Sequence, residues 1–356
     1  MSADPRAIVP AEPRQPHLGP PVSLAVLLPL LAGGVALIAV GSVCLGRMQI
    51  APSALLSALF FGGSAPEGSP EAQVALVLWR IRLPRMLAAA SVGAALAAAG
   101  TCFQVLFRNP LVSPDVLGVS AGAGVGAALA LLGNAPAWVV QVAAFAGGLV
   151  AVWLVYKVAS KVPGQDPALA LILSGIVVGA VLSAALSFLK YVADANNALP
   201  SIVFWLMGSL ATITLADVKY TVPLIGLALV PLALVSWRLN LLALGDEEAR
   251  ALGAEVMPLR AIAIACATLA TAAAVSMAGV VGWVGLIVPH AARLAVGPEV
   301  GRLLPVAVLS GAGFLMAVDT LARTLAGVEV PLGILTALIG APVFLRMLTR
   351  GERTWL

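Results

Sequence analysis

Charge is the property that this sequence has least of. It contains 20 Lys and Arg and 16 Asp and Glu among 356 residues, so charged residues make up 10% of the chain, while hydrophobic residues make up 61%. Mean hydropathy is +1.05. Soluble domains carry roughly 25% charged residues. The composition therefore excludes a water-soluble globule and predicts an all-α, polytopic membrane protein.

Acidic residues and nucleotide-binding motifs are missing from the long apolar runs. Asp319 is the acid that falls within a predicted span, near its outer end. Transporters driven by protons or sodium typically keep Asp, Glu or His at mid-membrane, and no GxxxxGK[ST] sequence is present to bind ATP. We therefore expect a conduit without catalytic residues or cofactors of its own, driven by another chain. A stand-alone secondary transporter is the alternative from another class.

Cysteine and histidine are also scarce. Cys44, Cys102 and Cys266 lie in or beside apolar runs without CxxC spacing, which favours packing over metal binding or redox chemistry. His290 has no His, Asp or Glu close to it in the sequence, so we interpret it as a packed or interfacial residue. A GxGxG sequence around Gly122 follows no predicted strand, which favours close helix packing over dinucleotide binding. We expect no metal site.

The order of the apolar runs predicts one membrane domain over 23–350, preceded by a proline-rich polar stretch at 1–22 that we expect to be a disordered cytoplasmic tail. About ten spans of about 20 residues fit in this length. Residues 47–82 are expected to form an outer loop with an interfacial helix. An apolar piece of roughly ten residues between the fifth and sixth spans is too short to cross and predicts a re-entrant helix. The spans are placed at about 23–45, 80–107, a third ending near 137, 138–158, 167–190, 220–237, 261–278, 280–294, 303–324 and 331–348.

The basic residues predict the orientation of the chain. Placing both termini inside puts thirteen of the 20 Lys and Arg residues on the inner side and seven on the outer side. The positive-inside rule therefore favours an even number of spans with both ends in the cytoplasm. In a membrane protein the net charge of +4 reports this orientation, so we expect contact with membrane lipid and none with nucleic acid.

One long segment, 238–260, must lie in water, because it holds seven charged residues. Gly245 is expected to separate two short helices, with Asp246 capping the second and Gly253 ending it. The result would be a compact knob, here defined as residues 239–253, suited to contact with a soluble partner. An ordinary solvated loop is the alternative. The residues that we assign to partner contact are Leu244, Gly245, Asp246, Glu247, Glu248, Arg250, Leu252 and Gly253.

Three arginines on the predicted outer side form a second candidate site. Arg82 and Arg85 are three residues apart on one helix face, and Arg323 comes from a distant span. Single arginines at a membrane edge usually extend to lipid headgroups. Three together, the arginine cluster, would suit bidentate recognition of carboxylates. Asp319, one turn before Arg323, could orient that arginine or neutralise it.

These motifs, in this order, resemble the permeases of type II ABC importers for iron chelates, haem and cobalamin. The resemblance covers about 23–350. It is carried by RLPR at 82–85, FRNPLVSPDVLGVSAGAGVG at 107–126, FWLMGSLA at 204–211, LNLLALGDEEARALG at 239–253, GWVGLIVPHAARL at 282–294, DTLAR at 319–323 and PLGILTALIGAPVFL at 331–345.

The resemblance implies a ten-helix subunit that forms a homodimer around one pathway in the bacterial inner membrane. Two ATP-binding cassette subunits, which bind ATP and Mg²⁺, would lie below it, and a periplasmic or lipid-anchored substrate-binding protein above. The knob would be the coupling helices that contact the ATPases. The arginine cluster would receive glutamates of the binding protein, Asn109 and Leu111 would lie at the cytoplasmic gate, and the fifth span would line the pathway.

One departure from this family concerns the gate before the fifth span. The cobalamin permease has small hydroxylated residues there, whereas this sequence is apolar around Ala168 and Leu169. The SPDVLGVSAGA sequence is more similar to the ferric-siderophore branch. We rank a ferric siderophore first as cargo, haem or cobalamin next and a molybdate-type oxyanion last.

Overall fold

The protein is described by a computed structural model that covers residues 23–46, 48, 50–61, 68–162 and 166–349. Within these ranges the regular structure is entirely helical, which confirms the predicted all-α class. The predicted tail at 1–22 lies outside the described residues. The helices are α1 Leu24–Cys44, α2 Pro52–Phe61, α3 Pro70–Val77, α4 Leu83–Leu106, α5 Val119–Leu132, α6 Ala137–Ala159, α7 Pro167–Val192, α8 Ala198–Met207, α9 Leu215–Leu244, α10 Asp246–Ala251, α11 Val256–Ala278, α12 Val284–Val296, α13 Val300–Thr324 and α14 Leu332–Thr349.

Seven helical segments of the described chain are long and apolar enough to cross a membrane. They are α1, the continuous segment Pro70–Leu106, α6, α7, α9, α11 and α13. Shorter apolar helices are α5, α8, α12 and α14. Of these, α8 has 10 residues and matches the predicted re-entrant piece, which at about 1.5 Å per residue cannot cross a bilayer.

The predicted outer loop is more helical than expected. Ser69 accepts a hydrogen bond from the Ala72 amide and Pro70 follows it, so a helix begins there and runs into α4. A π-helical segment, Leu78–Arg82, joins α3 to α4. Pro84 was expected to start the helix, but it lies inside this continuous segment. Its lack of an N–H group removes one α-helical hydrogen bond, which is consistent with the wider turn just before it.

Small residues allow the central helices to approach closely. A Cβ atom at Gly93 in α4 would overlap the Gly311 carbonyl in α13, and one at Gly100 would overlap the Gly285 carbonyl in α12. The GxGxG stretch behaves in the same way, because Gly122 lies against Gly147 of α6. Its predicted role in helix packing is confirmed. The segment Pro70–Leu106, which contains α4, and helix α11 form the buried centre of the bundle, because most residues along their apolar stretches are buried.

Candidate functional site

The arginine cluster comes together where the start of α4 meets the end of α13. Arg82 lies at the end of the π-helical segment and donates hydrogen bonds to the carbonyls of Val43 and Met48, at and just beyond the end of α1. Arg323 donates through Nη2 to the carbonyl and hydroxyl oxygens of Ser42, both at 3.0 Å. The two arginines therefore attach the end of α1 to the bundle.

Arg85 is held between two carboxylates of its own chain. Its Nε donates to Asp319 at 2.9 Å, and its Nη1 donates to Glu329 at 2.9 Å from one carboxylate oxygen and 3.0 Å from the other. Asp319 is also 3.3 Å from Nε of Arg323, and its side chain is 0% exposed. Asp319 is therefore shared by the two arginines, and Glu329 supplies the second negative charge beside them. A buried carboxylate can persist in this position because it is paired and hydrogen-bonded.

Glu329 is a residue of this site that the sequence did not reveal. It lies in the loop between α13 and α14, and its side chain is 33% exposed, whereas that of Arg85 is 6% exposed. No spacing rule connects Glu329 to α4, which lies more than two hundred residues earlier. Because Arg82 and Arg85 are each only 5% exposed, a carboxylate from another protein could reach Arg85 only by displacing or joining Glu329.

The knob differs in two ways from its sequence-based description. Its first helix is the end of α9, which continues to Leu244, and Gly245 rather than Asp246 is the N-cap of α10. The Asp246 carboxylate instead accepts a hydrogen bond from Arg260 Nη2 at 2.5 Å. Gly245 has φ +117° and Gly253 has φ +83°, so the predicted breaks fall at these glycines.

Most side chains of the knob point outward. Leu244 is 52% and Leu252 is 63% exposed, although both are large apolar residues. Glu247, Glu248 and Arg250 are exposed as well, and the Ala249 side chain is buried against the bundle. Exposed leucines on either side of the acidic residues form a surface of mixed character that can contact a protein partner.

The two residues predicted at the gate lie in the turn that follows α4. The Asn109 side-chain oxygen accepts a hydrogen bond from the Leu111 amide at 2.9 Å, which fixes the turn. Leu111 is 52% exposed. In the apolar stretch that departs from the family pattern, Ala168 is 6% and Leu169 44% exposed. Of these two side chains, only that of Leu169 is therefore exposed enough to contact another molecule.

Arg108 connects this turn to both the knob and α7. Its Nη2 donates to Asp166 at 3.1 Å, and Asp166 in turn caps α7 by accepting a hydrogen bond from the Ala168 amide at 2.7 Å. A Cβ atom placed on Gly245 would lie 3.3 Å from Arg108 Nη1. Sequence reasoning counted Arg108 only as an inner charge, because the contact depends on three elements that are distant in the chain.

The arginine cluster and the knob lie at opposite ends of α4. Arg85 is in the first turn of this helix, and Arg108 lies two residues beyond its last residue. The 24 residues of α4 span about 36 Å, which is comparable to the thickness of a bilayer. The two charged sites are therefore separated by one membrane thickness.

Comparison with known proteins identifies the class. Among solved structures, a metal-chelate-type ABC transporter described in an inward-facing conformation superimposes with a TM-score of 0.82 at 37% identity, over 91% of this chain and 99% of that one. The fold is thus that of a type II ABC importer permease, as predicted.

The family follows from the sequence matches. The FecCD transport family model matches residues 34–350, so this chain belongs to that family. A cobalamin import system permease of Halobacterium salinarum is 46% identical over 80% of this chain and 76% of the relative. A molybdate import system permease of Haemophilus influenzae is 40% identical over 86% of this chain and 90% of the relative. The chain is a multi-pass ABC transporter permease, a transport subunit.

Proposed function

We propose that this permease moves a metal chelate into the cytoplasm as a homodimer, with two ATPase subunits at the knob and a substrate-binding protein at the arginine cluster. The observation that carries this proposal is the placement of two different charged sites at opposite ends of α4. One site consists of three arginines, two of them paired with carboxylates, and the other is an exposed knob. Both termini would then lie on the cytoplasmic side with the knob.

At the outer site, docking would exchange one carboxylate for another. Glu329 occupies Nη1 of Arg85 and is partly exposed, whereas Asp319 is fully enclosed. A glutamate of the binding protein would compete with Glu329 and leave the Asp319 pairs in place. The exchange has a low electrostatic cost, because Arg85 keeps two carboxylate partners throughout.

At the inner site, movement of the knob would reach the pathway through Arg108. This side chain lies beside Gly245 at the base of the knob, where a Cβ atom would be 3.3 Å from Nη1, and it donates a hydrogen bond to Asp166, the cap of α7. A shift of the knob would therefore displace both the turn that carries Asn109 and Leu111 and the first turn of α7. These residues are our candidates for the cytoplasmic gate.

For the cargo we retain the ferric siderophore as the predicted chelate, with haem or cobalamin as the second candidate. The 46% identity to a cobalamin permease favours the second candidate. Both are large metal chelates, and the apolar Ala168 and Leu169 at the start of α7 suit closure around a bulky cargo more than around a small hydrated oxyanion such as molybdate.

The proposal is tested by reconstituting the permease in vesicles with its ATPase and binding protein. We expect uptake of a chelate only when ATP is supplied on the knob side. Replacing Glu247 and Glu248 with tryptophan should abolish ATP-driven uptake, because the bulky side chains prevent the knob from packing against the ATPase subunit. The control places tryptophan at Leu227, on the exposed face of α9. Uptake driven by a proton or sodium gradient without an ATPase would contradict the proposal.

A further inference from the structure

A cavity of about 330 Å³ opens between the ends of α6, α7 and α11, at the same end of the bundle as the knob. Tyr156, Leu171, Met257 and Ile264 contribute apolar surface to its walls, and Arg260 contributes a guanidinium group. Met257 is 55% and Tyr156 51% exposed, so the cavity opens toward the outside of the bundle. It is separate from the arginine cluster and from the exposed side chains of the knob, and it borders the first turn of α7 through Pro167 and Ala170.

Arg260 has hydrogen-bonding capacity that the described protein does not use. Its side chain is 7% exposed, and its Nη2 is bonded to Asp246 at 2.5 Å. Its Nε and Nη1 are buried and have no hydrogen-bond partner among the described residues. A guanidinium group carries five N–H donors in a fixed plane that matches a phosphate or carboxylate. Leaving buried donors unsatisfied is unfavourable, so an oxyanion beside Arg260 would stabilise this arrangement.

The surroundings of the cavity have the composition of a membrane boundary. In the last two turns of α6, Lys157 lies over the ring of Trp153 at 5.8 Å. Near the end of α9, Arg238 lies over the ring of Trp237 at 5.0 Å. Exposed aromatic rings paired with long cationic side chains mark the depth of the lipid headgroups. The cavity is therefore placed where phosphate groups and the first acyl carbons of lipids are found.

We propose that this cavity binds an anionic phospholipid, whose phosphate oxygens accept hydrogen bonds from Arg260 while its acyl chain covers the apolar walls. Free inorganic phosphate has the same oxyanion chemistry, but it would leave the apolar walls uncovered. Arg260 also donates a hydrogen bond to Asp246, the first residue of α10. The guanidinium group of Arg260 would therefore contact both the bound lipid and the knob.

The test measures binding to the full chain purified in a neutral detergent, by native mass spectrometry. The probes are dioctanoyl phosphatidylglycerol, dioctanoyl phosphatidylcholine and inorganic phosphate. We expect phosphatidylglycerol to bind at least about tenfold more tightly than phosphatidylcholine, because both lipids carry a phosphate but the choline cation of the second is repelled by Arg260. Arg260→Gln should remove this preference, because the guanidinium charge and its hydrogen bonds to the phosphate are lost. Arg238→Gln is the matched control, since it removes an exposed cation at the same depth and should leave affinity within about twofold.

A second variant keeps the proposal testable if Arg260→Gln fails to fold. Ala261 lines the cavity and is exposed, so Ala261→Trp should fill it and weaken phosphatidylglycerol binding at least about tenfold while leaving the Arg260 charge in place. Ala233→Trp, on the exposed face of α9, should have no effect. Equal affinity for the two lipids, an unchanged affinity of Ala261→Trp for phosphatidylglycerol, or equally tight binding of inorganic phosphate would overturn the lipid assignment.

Discussion

The arginine cluster and the knob use charge in opposite ways. In the cluster, Asp319 is fully enclosed and shared by two arginines, so charge fixes the geometry of helices α1, α4 and α13. In the knob, Glu247 and Glu248 are exposed, and the Arg250 guanidinium is 3.9 Å from Asp246. A protein that docks at the cluster must rearrange existing ion pairs. A protein that docks at the knob can contact side chains that are already exposed, without breaking an ion pair of the permease.

The largest effect is expected at Asp319, the buried centre of the cluster. Asp319→Ala would leave Arg85 and Arg323 without their shared carboxylate, and losing one partner of a buried ion pair costs about 3–5 kcal/mol. The thermal unfolding midpoint in detergent should fall sharply. Glu71→Ala, at an exposed acid in α3, is the control and should change it little. Equal midpoints for the two variants would contradict the structural role of Asp319.

A smaller effect is expected at the base of the knob. Gly245 has φ +117° and ψ +161°, a conformation that is largely confined to glycine, so Gly245→Ala should cost about 1–3 kcal/mol. The added Cβ would also lie 3.2 Å from the Glu248 carboxylate. Hydrogen exchange of α10 should accelerate. Gly226→Ala in α9, where nothing lies within 4 Å, should leave exchange unchanged. Protection of α10 equal to that of the parent protein would show that Gly245 is not strained.

Arg108 should separate stability from coupling. Its pair with Asp166 is exposed, 41% and 48% for the two side chains, so Arg108→Ala should cost less than about 1 kcal/mol of stability. We nevertheless expect fewer chelate molecules imported per ATP hydrolysed, because the arginine that lies beside the knob and binds Asp166 of α7 is lost. Lys161→Ala removes an exposed cation at the same end of the bundle and is the control. An unchanged transport ratio in Arg108→Ala would rule out the proposed linkage.

The smallest effect is expected at Glu329. If this residue competes with the docking carboxylate, Glu329→Gln should raise the affinity for the binding protein by up to about fivefold, a difference of about 1 kcal/mol. Surface plasmon resonance on the reconstituted permease would measure it, with Glu71→Gln as the control. Weaker binding in Glu329→Gln would mean that Glu329 helps to form the docked surface and does not compete for it.

Much of this fold could be predicted from the sequence because bilayer thickness and helix rise fix the length of a span. Spans such as α6 and α13 therefore fall close to their predicted positions. The helix at 70–82 was missed because its Ser69 and Pro70 start lies in a stretch rich in turn-forming residues. The sequence also suggested that Asp246 caps α10, since local rules take no account of Arg260, fourteen residues further along.

The arginine cluster was predicted, but the carboxylates that pair with its arginines were only partly predicted. Asp319 lies one turn from Arg323 on α13, so helix periodicity suggested that contact. Glu329 and the Arg108–Asp166 pair depend on how helices from different parts of the chain pack together, and a single sequence does not contain that information. Their discovery required the tertiary structure.

The central claim is that the knob and the arginine cluster face opposite sides of the membrane. The most direct test uses a variant without its three cysteines and with one new cysteine, at Leu252 in the knob or at Glu329 beside the cluster. A membrane-impermeant maleimide applied to spheroplasts should label Glu329→Cys and not Leu252→Cys. Applied to inverted membrane vesicles, it should label Leu252→Cys and not Glu329→Cys. Labelling of both positions from the same side would contradict the account.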